Sequence, residues 1–190
     1  MILGLVRRMK LYRTMSCLDM FAGNGSSVGD LVADWFFDYT AWDLDSVLLA
    51  KFKVNHPQIH IKATDVGLEL QMTPAQQFDV VIIDNFIMGG SGIEHFWLLP
   101  YLPRILNVNS AVVLNIFTDP VLYLSSAPPP VRDQVIAERT KVYGEPLPSL
   151  EKLIEFYRGY FGSDDIFIAK RNEAVSFLGV KLCQKNWKEN

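Results

Sequence analysis

The 190-residue sequence predicts an α/β fold: a doubly wound, mostly parallel seven-stranded sheet with helices on both faces and a C-terminal antiparallel hairpin. Three observations predict it. Short apolar runs alternate with stretches of helical period from Ser16 onward, which implies parallel strands joined by right-handed crossovers. The strongest run, Phe78–Ile83, is nearly continuous and β-branched, as befits a strand covered on both faces. The last two runs, Ile166–Lys170 and Val175–Leu182, are separated only by Arg171-Asn172-Glu173-Ala174. That connection is too short for a crossover, so they pair antiparallel.

The elements follow in order. Ser16–Met20 is a first strand that stops in the turn Ala22-Gly23-Asn24-Gly25. Ser26–Phe37 places Val28, Leu31, Val32, Trp35 and Phe36 at helical spacing. Tyr39–Trp42 is a strand ending at Asp43, and Asp45–Val54 is a helix with Asp45 or Ser46 able to cap its amides. Ile59–Ala63 is the third strand, and the stretch 64–77 leaves room for a short helix. After Phe78–Ile83, a helix is expected over Ile93–Leu106, with kinks at Pro100 and Pro103. Asn107-Val108-Asn109-Ser110 reads as a turn before the buried strand Ala111–Phe117, since Asn tolerates left-handed backbone. Pro130–Tyr143 and Leu150–Phe161 are helical. The expected organisation is one domain over residues 1–190, with 1–15 an N-terminal extension or helix and 125–130 a proline-rich loop.

Composition narrows the class. With 49% apolar residues and a net charge of −3, the chain is not disordered. Lys+Arg 18 against Asp+Glu 21 lacks the basic footprint that drives phosphate-backbone binding, so nucleic acid is possible as a partner but not favoured. Cys17 and Cys183 show no C-x-x-C spacing for zinc and no disulfide framework, so no metal site is expected and both read as buried thiols in a reducing compartment. The apolar start precedes Arg7, Arg8, Lys10 and Arg13, the reverse of a secretory leader, and no run approaches the ~20 residues of a membrane span. A cytoplasmic protein is expected.

Ligands of doubly wound sheets bind beyond the carboxyl ends of the strands. Asp19, Asp43, Asp65 and Asp84 all fall there. Alone, each would read as a helix cap or a solvated turn; four in phase with strand ends point to a site. The glycine turn lets the backbone approach a ligand closely, and a carboxylate after strand two can accept from both hydroxyls of a ribose. The third glycine of G-x-G-x-x-G falls on Val28, which counts against a nicotinamide dinucleotide, and no G-K-[ST] follows for a P-loop.

These residues resemble the class I S-adenosylmethionine-dependent methyltransferases. Leu18-Asp19-Met20-Phe21-Ala22-Gly23-Asn24-Gly25-Ser26 is similar to the family's first motif, Trp42-Asp43-Leu44-Asp45 to the acidic end of strand two, Thr64-Asp65-Val66 to the acidic position near the adenine, and Phe78 to Asn85 to the fourth motif. The resemblance covers roughly Ser16 to Phe117 by motif. It implies S-adenosylmethionine as cofactor, with the backbone of Phe21, Ala22, Gly23, Asn24 and Gly25 around the methionine part and Asp19 near its amino group. Asp43 would take the ribose, Leu44 the adenine face, and Asp65 with Val66 the adenine edge. Asp84, at the mouth facing the methyl, is the candidate base, with His95 a second catalytic candidate.

The acceptor side departs from the base-modifying members. Asp84-Asn85-Phe86-Ile87-Met88 lacks their Pro-Pro pair, and no cysteine follows strand four. A small-molecule or protein acceptor is therefore expected over a nucleic-acid base. Two other readings stand beside this one: a non-catalytic methyltransferase-like subunit, and an aminopropyl transferase similar to polyamine synthases, whose glycine-rich first motif is absent. Gly89-Gly90-Ser91-Gly92 is a lid or a plain loop, and Phe96, Trp97 and Tyr101 are acceptor-pocket or core aromatics.

Overall fold

The computed structural model describes residues 2–23, 28–84, 95–123, 125 and 128–183. Within them lies one seven-stranded sheet of order β3-β2-β1-β4-β5-β7-β6. Its strands are β1 (Ser16–Met20), β2 (Asp38–Asp43), β3 (His60–Ala63), β4 (Phe78–Ile83), β5 (Leu106–Phe117), β6 (Ile166–Lys170) and β7 (Val175–Cys183). The pairs β1·β2, β1·β4, β2·β3 and β4·β5 are parallel. β7 runs antiparallel to both β5 and β6. The predicted doubly wound sheet and terminal hairpin are thus both present.

Each face carries its own core. On one face α1 (Ile2–Arg8), α2 (Gly29–Val32) and α3 (Ser46–Asn55) bury Leu5, Val32, Leu49 and Phe52 against Cys17, Ala41, Val80 and Ile82. On the other, α4 (Val66–Met72), α5 (Leu102–Ile105) and α8 (Leu150–Phe161) bury Leu70, Leu102, Leu153 and Phe161 against Leu18, Val81, Val112 and Leu178. The alternation along β1 and β4 assigns neighbouring residues to opposite faces. A smaller cluster joins Val135 of α7 (Pro129–Tyr143) to Phe117, Ala174 and Val175. The stretch 64–77 holds α4, and a further four-residue helix, α6 (Pro120–Tyr123), was not signalled by the sequence.

Three expectations are corrected. The helix expected over Ser26–Phe37 is confined, among the described residues, to Gly29–Val32. Beyond it the Trp35 amide bonds three residues back to Val32, and the Phe37 amide is taken by the Arg13 carbonyl at 2.9 Å, so the loop after α1 unwinds the helix end. The helix expected to run to Leu106 is broken. Its described part is a turn, a 3₁₀ turn at Leu99–Tyr101 and the four residues of α5, as Pro100 and Pro103 each withhold an amide. Asn107–Ser110 is strand rather than turn: Asn109 and Ser110 pair with Cys183 and Leu182, Asn107 Nδ2 donates to Asp79 Oδ1 at 2.7 Å, and a register shift opposite Phe78 and Val80 absorbs the misfit.

Within the segment expected to be an extension or helix, α1 spans Ile2–Arg8. Met9, the residue after α1, packs tightly on β7: a Cβ on Gly179 would lie within van der Waals overlap of its Sδ, at 2.3 Å. His56, at the C-cap of α3, bridges two carboxylates, 2.9 Å from Asp34 Oδ1 and 2.9 Å from Asp30 Oδ1. Among the described residues no helix is long and apolar enough to cross a membrane.

Candidate functional site

The register of the parallel strands sets four carboxylates in a row. Met20 pairs with Trp42 and with Ile83, so Asp43 and Asp84, each one residue further on, stand level on either side of Phe21. Asp19 lies two residues deeper between them, and Asp65 lies two residues beyond β3, which pairs with the end of β2. The order along the edge is Asp65, Asp43, Asp19, Asp84, which brings together the four acids singled out in the sequence.

The turn after β1 is held in an unusual backbone. Phe21 has φ +65° and Gly23 φ +55°. A left-handed phenylalanine costs on the order of 1–3 kcal/mol and persists only where its surroundings fix it. Here the Ala22 amide donates to the Trp42 carbonyl at 3.0 Å and the Gly23 amide to Asp43 Oδ2 at 2.8 Å. Asp43 Oδ1 accepts from the Asp45 amide at 2.8 Å, so this half-buried carboxylate ties the β1 turn to the start of α3. Asn24 and Gly25 lie outside the described residues.

Asp19 is 1% exposed. Its Oδ2 accepts from the Tyr39 hydroxyl at 2.5 Å, and its Oδ1 has no partner among the described residues. Burial pushes its carboxyl up to about 8; the Tyr39 hydrogen bond opposes this, and the nearby charges of Asp84 and Asp43 add to it.

Asp84 is 2% exposed, and Arg171 Nη1 donates to its Oδ1 at 2.5 Å. The guanidinium also lies over the Phe177 ring, 5.2 Å from its centroid. Asp84 Oδ2 is buried and has no hydrogen-bond partner among the described residues. The sequence reading left Arg171 in a turn, although the signal was present. Two antiparallel pairings return β6 to the direction of β5, so the residue after Lys170 belongs to the same carboxyl edge as Asp84.

At the far end of the row Asp65 is exposed and caps α4, its Oδ1 accepting from the Leu68 amide at 3.0 Å. Leu44 is 76% exposed, and Val66 is buried in the core. Trp97 packs against the first turn of α4 so closely that a Cβ on Gly67 would meet it at 2.9 Å. Tyr101 and Phe96 also pack on the core.

His95 is placed otherwise than a proton-transfer group requires. It is 0% exposed, with Nε2 2.6 Å from the Tyr157 hydroxyl, which in turn lies 3.1 Å from that of Tyr143. Burial, aided by the charge of Arg139, lowers the imidazole to about 3, so it is neutral and packed. A cavity of about 630 Å³ opens after β5, lined by Thr118, Asp119, Val121, Leu122, Ser125 and Leu147. Its wall combines branched apolar side chains with one carboxylate and two hydroxyls.

No protein-family model matches the sequence, and no curated protein matches it. Solved structures do match its shape. The chain superposes on the CurJ carbon methyltransferase with a TM-score of 0.63 at 13% identity, over 96% of this chain and 52% of that one. A SAM-dependent methyltransferase from Archaeoglobus fulgidus gives 0.58 at 15% identity, over 95% and 92% of the two chains. The N-methyltransferase NodS from Bradyrhizobium japonicum gives 0.58 at 11% identity, over 95% and 93%. The chain spans about half the length of the first of these and nearly the whole of the other two. The likeness is one of fold, and the fold is that of the class I methyltransferases.

Proposed function

We propose that this chain binds S-adenosylmethionine and transfers its methyl group to a small-molecule or protein acceptor. The observation that carries the reading is the row of Asp65, Asp43, Asp19 and Asp84 beside a strained turn whose Gly23 amide is already fixed by Asp43. The residues fit the cofactor. Asp19 Oδ1 and Asp84 Oδ2 are buried oxygens without partners among the described residues, a setting that favours a cationic ligand. Asp43 accepts two backbone amides and keeps acceptor capacity for a ribose diol. Exposed Leu44 and exposed Asp65 offer an apolar face and an acceptor for an adenine.

S-adenosylmethionine, when bound, supplies a methyl group on a positively charged sulfur. The chain's part is chiefly to position the reactants. The Phe21–Gly23 backbone presents its turn to the methionine moiety. Asp43 and Asp65 fix the nucleoside end. Asp84, held by Arg171, acts as an oriented hydrogen-bond acceptor at the mouth rather than as a free base. His95 is assigned a packing role and no part in the chemistry. The cavity after β5, adjacent to the β4 mouth in strand order, is assigned to the acceptor. The engagement of Asp84 by Arg171 weighs against the aminopropyl-transfer reading, which needs that carboxylate for the attacking amine.

Calorimetry tests the reading. S-adenosylmethionine should bind the intact protein, and Asp43→Ala should lose at least ~10-fold in affinity, a ~1.4 kcal/mol effect. Absence of binding, or equal affinity in the variant, overturns it. A tritiated-methyl transfer assay against fractionated lysate then identifies the acceptor class; binding without transfer to any fraction favours the non-catalytic subunit.

A further inference from the structure

We propose that the free protein holds Asp19 as a carboxylic acid, and that a cationic ligand arriving at the carboxyl edge expels this proton to solvent, so that cofactor capture is coupled to proton release. The inference rests on the reading of the site as one for S-adenosylmethionine.

The geometry disfavours a buried charge at this position. Asp19 sits in the middle strand of three parallel ones that carry acids, and it is 1% exposed. From β2 it faces the Tyr39 hydroxyl, at 2.5 Å, and the Asp43 carboxylate. From β4 it faces Asp84. On its own strand the buried Cys17 thiol stands two residues away on the same face. Asp38 and, from α2, Asp30 add further negative charge around Cys17 and Tyr39. Arg171 brings a cation to this edge, with its Nη1 bonded to Asp84. A buried carboxylate is stable when two or three donors serve it. Asp19 receives the Tyr39 hydroxyl on Oδ2, while Oδ1 has no partner among the described residues.

Protonation removes the repulsion from Asp43 and Asp84 and most of the burial cost. A ligand that brings positive charge to this edge reverses both terms, and the O–H bond on Asp19 breaks with its proton passing to water. No oxidant or further reactant is needed. Because burial and the flanking acids push Asp19 up to about 8, the protonated form predominates in the free protein at pH 7. The edge thus presents a full complement of negative charge only to a cation, which favours the sulfonium and ammonium groups of S-adenosylmethionine over neutral nucleosides.

Titration calorimetry at pH 7, repeated in buffers of different ionisation enthalpy, reads the proton directly. S-adenosylmethionine binding to the intact protein should release roughly half to one proton, and its association constant should rise about five- to tenfold from pH 6 to pH 7. Asp19→Asn should bind with release near zero, as should the intact protein with 5′-methylthioadenosine, which carries neither cation. Binding of S-adenosylmethionine without release, or equal release in Asp19→Asn, overturns the inference and leaves the proposed function standing. If S-adenosylmethionine does not bind at all, the proposed function falls instead. A carboxyl-carbon NMR titration of the free protein then judges Asp19 by itself: a midpoint near 8 supports the acid form, and one below 5 overturns it.

Discussion

Replacement of Arg171 by methionine is the sharpest test of the site as built. The variant removes the guanidinium but keeps much of the aliphatic stem that lies over Phe177. What remains is Asp84, 2% exposed, with its counter-charge gone. Deleting one partner of a fully buried pair costs ~3–5 kcal/mol. The Arg171 side chain is 21% exposed, so water partly screens the pair and an expected loss of ~3 kcal/mol is appropriate. For a chain of this length that corresponds to roughly 6–12 °C in melting temperature. Asp84→Asn leaves a guanidinium that can reach solvent and should cost ~1–2 kcal/mol. In the double variant neither charge is stranded, so the losses should fall short of their sum by ~2 kcal/mol. Urea unfolding of the four proteins, followed by circular dichroism, closes the cycle. A coupling energy below ~0.5 kcal/mol would mean that the 2.5 Å contact does not hold Asp84, and the assignment of Asp84 as an oriented acceptor would fall with it.

Three further predictions follow from other parts of the molecule. Gly179→Ala should destabilise the protein by ~1–3 kcal/mol in urea, because its Cβ would overlap Met9 Sδ; the loss should shrink in a Met9→Ala background, and an undiminished loss there refutes the Met9–Gly179 contact as its cause. Burial raises the Cys17 thiol well above its ordinary value, so in a Cys183→Ser background Ellman's reagent should react only upon unfolding, and rapid reaction of the folded protein contradicts the burial. Burial works to lower the His56 imidazole, but its hydrogen bonds to Asp34 and Asp30 outweigh this and raise it. A raised histidine stabilises fully below its unfolded value near ~6.5, and the benefit fades as pH climbs through the folded value. The Asp34 and Asp30 side chains are 72% and 44% exposed, so the stability advantage over His56→Gln should be only ~0.5 kcal/mol below pH 6 and absent by pH ~9. An advantage that grows with pH refutes the clamp.

The sheet was legible in the sequence because burial on both faces leaves a simple record: Phe78–Ile83 and Ser16–Met20 are strands with those bounds. The acids were legible because parallel strands deliver their carboxyl ends to one edge, whatever the helices do. Contacts between distant segments were not. The Ser26–Phe37 pattern is amphipathic, yet its C-terminal part is claimed by Arg13, a residue of the loop after α1. Asn107–Ser110 has turn composition, but partners on β7 and Asp79 draw it into the sheet. His95 looked available because a histidine after an acid-bearing strand suggests chemistry; only the packing of α8 against it shows a neutral, enclosed ring. Arg171 was missed by treating a hairpin turn as a connector, when the reversal of β6 makes that turn part of the site.

The place of β7 between β5 and β6 has a consequence for biosynthesis. A ribosome delivers β5, ending at Phe117, long before β7, starting at Val175. During that interval one side of a twelve-residue, mostly apolar strand has no hydrogen-bonding partner. Such an edge is a template for pairing with other chains and a natural ligand for holdase chaperones. The hairpin that finally covers it also brings Arg171 to Asp84, so the nascent chain gains its protected edge and the charge balance of its candidate site in a single late step. Chains stalled on the ribosome before Val175 should therefore be held by chaperones, whereas chains stalled well beyond Cys183 should not.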